Sequence, residues 1–270
     1  MTEQHETFPS AWQALLLIAL LIGLEWIVVI VAVDTGLLSG VGALDASAFI
    51  TVVGNGILFC GLMAYKNIGY RTLFHPARYS VAALMTLVTL PILLLVPGLV
   101  LLAGWANLIV MAVFPMRPDD IAQYEALMAP GFISTLFACL GAPVLEEMLF
   151  RGVILRGFVR RYPRDFSIFW SAALFAIAHL NLYQVATALA LGIVAGWLYE
   201  RCRSLWPCIL LHAAYNTFVT YVYYVSSGQP EGDTFGMSAG SIGVSLASAM
   251  AGGFVLLKLL SPLAPPLPRA

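Results

Sequence analysis

Long apolar runs alternate with short polar segments along almost the whole chain, from about Trp12 to Leu260. A membrane-spanning helix needs about 20 mostly apolar residues. Eight runs reach or approach that length, and they cover residues 12–33, 48–65, 80–114, 131–158, 166–179, 183–199, 205–224 and 241–260. No polar block between them is long enough to fold by itself. The sequence therefore predicts an all-α fold, a polytopic bundle of about eight transmembrane helices.

Composition leads to the same prediction and excludes one class of partner. Hydrophobic residues make up 61% of the 270 positions and charged residues only 10%, against about 25% charged residues in a soluble domain. The net charge is -1, and Lys and Arg form no clustered stripe of the kind that binds nucleic-acid backbones. We therefore expect a lipid bilayer around the chain and no nucleic-acid partner.

Positive charges alternate between successive loops, and this alternation predicts the orientation of the chain. Cytoplasmic loops of membrane proteins are enriched in Lys and Arg. The basic segments hold Lys66, Arg71, Arg78, Arg156, Arg160, Arg161, Arg164, Arg201, Arg203, Lys258 and Arg269, whereas the intervening loops are mainly acidic. The pattern predicts that both termini lie in the cytoplasm. The compact chain without long tails suggests a bacterial inner membrane.

Four places in the predicted helices stand out because they hold ionisable side chains in mid-span. Such residues are costly inside a bilayer and are functional candidates for that reason. Three of these places are short motifs. They are EEMLFRG with Glu146, Glu147 and Arg151, FAIAH with His179 preceded by Phe175, and HAAYN with His212 followed by Asn216. Glu25 also lies in mid-span, in GLEWIVV outside these motifs, and its role stays open.

Helical spacing gives the two adjacent glutamates different roles. Glu147 and Arg151 are four residues apart with the acid first, which is the favoured order for an ion pair on one helix face. Glu146 points about 100° away from Glu147 and has no local partner. We therefore expect the Glu147–Arg151 pair to be structural and Glu146 to be available for chemistry.

The other two motifs place polar and aromatic groups at a similar depth. His212 and Asn216 share one helix face, and Phe175 lies on the face of His179 as an aromatic wall beside the imidazole. Counted at about 1.5 Å per residue from the nearest basic loop, Glu146, His179 and His212 all lie near mid-membrane. Three helices can therefore bring a carboxylate, two imidazoles and a carboxamide to one buried cavity.

Such a cavity has the groups that peptide hydrolysis requires, namely a base that activates water and donors to an oxyanion. Glu146 and His179 can share the water, and His212 and Asn216 can supply the donors. Glu146, His179 and His212 are also a ligand set of the kind found in catalytic zinc sites. The cofactor therefore stays open between none and a divalent metal such as zinc.

The three motifs, taken in this order, resemble the CPBP family of intramembrane proteases. The resemblance rests on EExxxR (Glu146, Glu147, Arg151), FxxxH (Phe175, His179) and HxxxN (His212, Asn216). That family includes the type II CAAX prenyl endopeptidases and bacterial relatives, some of them linked to bacteriocin self-immunity. The resemblance implies that Glu146 and His179 activate water and that His212 and Asn216 stabilise the oxyanion. Members have been described both as metalloproteases and as metal-free glutamate proteases.

The resemblance divides the chain into four parts. Residues 1–10 are expected to form a cytoplasmic tail, 11–129 the N-terminal membrane helices, 130–225 a CPBP-type catalytic core, and 226–270 the last loop, helix and tail. The implied function is an intramembrane endopeptidase that cleaves a membrane-tethered peptide or protein near a membrane-embedded or lipid-modified segment. Two alternatives stay open, a non-catalytic scaffold or bacteriocin self-immunity protein and a proton-coupled transporter in which the same residues form a relay.

Overall fold

The computed structural model describes residues 8–127, 131–226 and 238–261, and within these ranges the chain is helical and has no strand. The helices, in chain order, are α1 (Ala11–Thr35), α2 (Ala43–Lys66), α3 (Tyr70–Phe74), α4 (Val81–Val113), α5 (Pro118–Leu127), α6 (Phe132–Arg161), α7 (Arg164–Ala178), α8 (Leu182–Cys202), α9 (Trp206–Ser226) and α10 (Ala239–Leu260). Most of the predicted N-terminal tail, most of the loop before α10 and residues 262–270 lie outside the described ranges.

Polar side chains define where several of the long helices begin. Ser10 accepts a hydrogen bond from the backbone N–H of Gln13, and the Gln13 side chain accepts one from the backbone N–H of Ser10. Such caps satisfy N–H groups that have no partner inside the helix. The side chains that cap α4, α8 and α10 are Ser80, Asn181 and Ser238.

The predicted membrane helices are present, and the prediction of an all-α polytopic bundle is confirmed. Six described helices are long and apolar enough to cross a membrane, namely α1, α2, α4, α6, α8 and α10. The other two predicted runs correspond to α7, which has 15 residues, and to α9, which carries His212 and Asn216. The chain is therefore an integral membrane protein.

Contacts between distant segments bring basic loops to one end of the bundle. The Tyr162 hydroxyl accepts a hydrogen bond from the N–H of Ala11 at 3.3 Å, which places the start of α1 beside the end of α6. Arg156 donates to the carbonyl oxygen of Thr72 at 2.7 Å, which places α3 beside the same end of α6. Arg117 lies at the other end, near the start of α8. The basic segments that are separated along the sequence therefore lie together at one end of the bundle.

Helices α4 and α10 pack closely along a seam of small residues. A Cβ added to Gly98 would overlap the side chain of Ala249, and one added to Gly252 would overlap the carbonyl oxygen of Pro91. The two helices therefore run antiparallel, and Lys258 near the end of α10 lies at the basic end of the bundle with the start of α4. Because lipid tails are as apolar as side chains, close approach of small residues drives the packing of membrane helices.

We predict that Gly252→Val destabilises the protein by about 1–3 kcal/mol, the usual cost of overpacking a well-packed site. The new side chain would meet a backbone oxygen, which cannot move aside as a flexible side chain can. Thermal unfolding in detergent, followed by tryptophan fluorescence, measures the change. Gly243→Val is the matched control, because a Cβ at Gly243 on the same helix has nothing within 4 Å. An equal loss of stability in both variants would contradict close packing of α4 and α10 at Gly252.

Candidate functional site

Helix α6 departs from regular α-helical geometry on both sides of the two glutamates. Residues Phe137–Gly141 and Met148–Leu155 are π-helical, and they flank the α-helical segment Ala142–Glu147. The first widened turn precedes Pro143, which has no N–H to donate to the carbonyl group four residues earlier. Turns of this kind occur frequently at functional sites. The regular helix that the sequence predicts is therefore distorted where the candidate residues lie.

A fully buried ion pair lies among these helices. Arg151 donates to Glu147 Oε1 at 2.8 Å, and both side chains are 0% exposed. His212 Nδ1 lies 2.9 Å from the same oxygen. Because a carboxylate paired with arginine only accepts hydrogen bonds, Nδ1 carries the hydrogen of this contact. The pair that spacing predicts is present, and it does more than stabilise α6, since it also orients His212 on α9.

Arg151 connects this pair to two further helices. A second guanidinium nitrogen donates to the carbonyl oxygen of Gly192 on α8 at 3.1 Å, and the guanidinium lies over the Phe175 ring of α7 at 4.6 Å from its centre. Helix α8 can come this close to α7 because Gly192 has no side chain; a Cβ there would lie 2.9 Å from that of Ala172. The sequence does not indicate that Gly192 contacts Arg151, because a hydrogen bond to a backbone carbonyl leaves no signal in the pattern of side chains.

Glu146 lies beside this network with one carboxylate oxygen unpaired. Its Oε2 atom is 3.7 Å from His212 Nε2, and this buried oxygen has no hydrogen-bond partner in the part of the chain that the structure describes. A separation of 3.7 Å is too long for a direct hydrogen bond, but a water can bond to both atoms. The Glu146 side chain as a whole is 32% exposed, although the Oε2 atom itself is buried.

His179 and His212 both pack against one aromatic side chain, Phe175. The His179 and Phe175 rings are perpendicular with centres 4.8 Å apart, and the His212 ring lies 5.6 Å from Phe175 in the same relation. His179 Nδ1 also lies 2.8 Å from the carbonyl oxygen of Phe175. Since a carbonyl only accepts, Nδ1 donates and Nε2 is the ring nitrogen that carries no hydrogen. The aromatic wall predicted beside His179 thus contacts both imidazoles.

Asn216 lies one turn after His212 on α9. Its side-chain amide donates to the carbonyl oxygen of Ala138, in the first π-helical segment of α6, at 2.8 Å. This contact is a hydrogen bond between helices of the kind that membrane bundles use. An amide nitrogen carries two N–H donors, so one is engaged by Ala138 and a second can serve a ligand.

The three possible zinc ligands are not gathered into one group. Within residues 8–127, 131–226 and 238–261, no group of three His, Cys, Asp or Glu side chains is arranged to hold a metal ion. A catalytic zinc normally has three protein ligands. Glu146 and His212 Nε2 do lie together, and a hydrogen bond from the other ring nitrogen to a carboxylate is usual for a metal-binding histidine, but no third ligand joins them among the described residues. The described residues therefore hold no three-ligand zinc site, and no step below is assigned to a metal.

Glu25, whose role the sequence leaves open, has a polar partner on α2. Asn55 Nδ2 lies 3.5 Å from Glu25 Oε1, and a Cβ added to the neighbouring Gly54 would lie 2.7 Å from Glu25 Cγ. The Glu25 carboxylate is also close enough to Glu146 for their charges to interact. Asn55 was missed by the sequence analysis, although an amide inside an apolar run is a detectable signal. Helices outside the three motifs thus contribute to the surroundings of Glu146.

The fold and this cluster define a class, a polytopic helical membrane protein in which α6, α7 and α9 bring together buried and half-buried carboxylate, imidazole and amide groups. Residues 128–218 match the family described as type II CAAX prenyl endopeptidase Rce1-like. This range contains all three motifs. The resemblance to the CPBP intramembrane proteases is therefore confirmed for residues 128–218.

A curated relative has a similar core. It is "Putative membrane peptidase YdiL" of Bacillus subtilis (strain 168), and it is 32% identical to this chain over 100 residues. The aligned part makes up 37% of this chain and 38% of the relative, so the chain spans well under half of that protein. No solved structure matches the chain. The comparisons support a protease at the level of the family and leave the substrate to be proposed.

We predict that Arg151→Met destabilises the protein by about 3–5 kcal/mol, because the change leaves the buried Glu147 charge without its partner. The double variant Glu147→Gln/Arg151→Met should recover much of this loss, since it removes both charges. Unfolding in mixed detergent micelles measures both variants. Arg117→Met serves as the control, because its ion pair with Asp120 is largely exposed and should leave the midpoint unchanged. If the losses in unfolding free energy from Glu147→Gln and Arg151→Met simply added in the double variant, the two buried charges would not be coupled.

Proposed function

We propose that this protein is an intramembrane endopeptidase that hydrolyses a peptide bond near a membrane-embedded or lipid-modified segment of its substrate. The observation that carries the proposal is the unpaired Oε2 atom of Glu146, buried 3.7 Å from His212 Nε2. A carboxylate without a partner is expensive inside a membrane and is a functional candidate for that reason. Here it has the position of a general base, within reach of a water that a neighbouring imidazole can also contact.

In the proposed reaction, Glu146 accepts a proton from water as the water oxygen attacks the substrate carbonyl. His179 packs against the same Phe175 ring as His212. It is assigned as the partner of Glu146 in activating the water, through the Nε2 atom that carries no hydrogen. The proton that Glu146 receives is then delivered to the leaving amine. This sequence needs no group beyond the side chains of the chain and the water itself.

The oxyanion that forms on the substrate carbonyl needs donors placed before the reaction begins. We assign this role to His212 as an imidazolium, whose Nδ1–H donates to Glu147 and whose Nε2–H donates to the oxyanion, and to the second N–H of Asn216. Glu147 accepts from His212 Nδ1 at 2.9 Å and is itself held by Arg151 at 2.8 Å. A carboxylate that holds the far nitrogen of an imidazole fixes the ring orientation. Glu147 and Arg151 are therefore positioning residues, and the substrate is not expected to contact them.

The proposal extends to location and substrate class. Both termini and the basic end of the bundle are assigned to the cytoplasm, because positively charged loops favour that side. The membrane is assigned as a bacterial inner membrane. The substrate is assigned as a membrane-tethered peptide or protein, since α6, which carries both glutamates, is long and apolar enough to cross a membrane.

We predict that Glu146→Gln lowers cleavage by about 10²–10⁴-fold, the usual contribution of a general base. His179→Ala should give a loss in the same range. The assay uses the purified full chain in detergent with labelled membrane-tethered peptides, both prenylated and plain, with and without a chelator. Asp165→Asn is the matched acid-to-amide control, because its side chain is 93% exposed and lies at the opposite end of α7 from His179, and it should cleave as the wild type does.

The outcomes separate the candidate functions. Cleavage by the wild type, lost in Glu146→Gln and kept in Asp165→Asn, supports the protease. Loss of that cleavage on adding a chelator would contradict the metal-free reaction. If no peptide is cut while folded Glu146→Gln protein still supports the cellular phenotype, the protease proposal fails and a scaffold or self-immunity role replaces it. Proton uptake by reconstituted vesicles that depends on Glu146 would instead indicate a transporter.

A further inference from the structure

The segment between α2 and α4 forms a fixed structure at the basic end of the bundle, away from the candidate active site. Leu73 of α3 is 1% exposed, and a Cβ added to Gly152 of α6 would lie 2.8 Å from its Cδ1 atom. The carbonyl oxygen of Phe74 accepts a hydrogen bond from the N–H of Leu205 at 2.8 Å. The side chain and backbone of α3 thus attach this segment to α6 and to the start of α9.

Tyr79 provides a further attachment at the far end of the segment. Its hydroxyl donates to the carbonyl oxygen of Cys202 at the end of α8. Burial raises the pKa of Tyr79 to about 12, with a further contribution from Cys202. The phenol therefore keeps its proton, and the hydrogen bond, at every physiological pH. A segment held at both ends presents its remaining side chains in a defined arrangement.

This segment and the start of α9 line an open cavity of about 1190 Å³. Its walls include Arg71, Arg78 and His75 from the segment, together with aromatic side chains that include Tyr70 and Trp206. Ligand cavities in proteins usually measure about 300–1,000 Å³, so this cavity has room for a ligand of appreciable size. None of its lining residues is acidic.

The two arginines of the cavity have no anionic partner in the described part of the chain. The nearest acidic residue along the adjoining helix is Glu200, and it already pairs with other cations, Arg164 at 2.9 Å and Arg203 at 3.4 Å. His75 Nε2 lies 2.7 Å from the carbonyl oxygen of Tyr79, and its Nδ1 atom is buried without a partner in the same part of the chain. The cavity therefore has positive charge and hydrogen-bonding capacity that no described residue satisfies.

The position of the cavity relative to the membrane indicates which anion would reach it. Val81 is the first residue of α4 and Trp206 the first residue of α9, so the cavity lies at the N-terminal ends of two long helices. Tyr70 and Trp206 are 60% and 40% exposed, and exposed Tyr and Trp side chains mark the depth of the lipid head groups. A phosphate carried by a lipid is the anion present at that depth, and arginine binds phosphate through paired N–H donors.

We propose that this cavity binds the phosphate head group of an anionic phospholipid, with Arg71 and Arg78 as its charged contacts and Tyr70 and Trp206 beside the lipid. The site is separate from Glu146 and its neighbours. A lipid bound there changes the stability of the folded protein and takes no part in the reaction. Because α3 is attached to α6 through Leu73 and Gly152, an occupied site stabilises the bundle by mass action.

The test uses the purified full chain in a neutral detergent, with phosphatidylglycerol as the probe and phosphatidylcholine as the uncharged comparison. Native mass spectrometry measures bound lipid, and thermal unfolding measures stabilisation. Arg71→Gln/Arg78→Gln should bind phosphatidylglycerol about 30-fold more weakly than the wild type, the factor expected for two arginines that contact an anionic lipid. Both side chains are exposed, so the variant should fold, and an unchanged melting temperature without lipid checks this.

Lys66→Gln/Lys258→Gln is the matched control. It removes the same charge from the basic end of the bundle, and neither lysine lines the cavity. This control should bind phosphatidylglycerol within about threefold of the wild type, because the surface charge that it removes acts only at a distance. Equal weakening of both double variants would overturn the proposal in favour of a general surface charge. Equal protection by inorganic phosphate would overturn the lipid as the ligand, and no preference for phosphatidylglycerol over phosphatidylcholine would overturn the site.

Discussion

The contacts of one buried guanidinium, that of Arg151, determine how the candidate site is assembled. A buried charge is costly unless an opposite charge and hydrogen-bond acceptors are near, and Arg151 has both, although its Nε atom has no partner among the described residues. Glu147 supplies the charge, the carbonyl oxygen of Gly192 accepts a second hydrogen bond, and the Phe175 ring covers the guanidinium. Helices α6, α7 and α8 must therefore meet at one place, and His212 brings α9 to the same place through Glu147.

This arrangement explains why two adjacent glutamates have different properties. Glu147 is completely buried and has both Arg151 and His212 as partners. Glu146 is partly exposed and keeps an unpaired oxygen opposite His212 Nε2. Glu147 Oε2 is also buried without a hydrogen-bond partner among the described residues, so the two glutamates differ in ion pairing and exposure. Glu147 is paired with Arg151 and fully buried, whereas Glu146 has no arginine partner among the described residues and is partly exposed. Glu146 is the carboxylate to which the hydrolysis proposed above is assigned.

The two ends of the bundle differ as clearly as the two glutamates do. Basic segments that lie far apart in the chain meet at one end, where Arg156 contacts Thr72 and Tyr162 contacts the start of α1. Arg164, Arg201 and Arg203 pair with Glu200, and Arg156 donates to a backbone carbonyl. Arg71 and Arg78 do neither among the described residues, and they line a cavity at head-group depth. The charge pattern that orients the chain thus also leaves room for a lipid contact.

The sequence by itself determined the helical membrane fold, the family of its core and the Glu147–Arg151 pair, because span length, motif order and helical spacing are all local properties of the chain. Only the tertiary structure decided that His212 contacts both glutamates, that Gly192 accepts from Arg151, and that Asn55 joins Glu25. Each of these contacts joins residues more than 25 positions apart, and the π-helical turns beside Glu146 alter the local geometry as well. Periodicity along one helix shows which face a residue occupies, but the packing of other helices decides what that face meets.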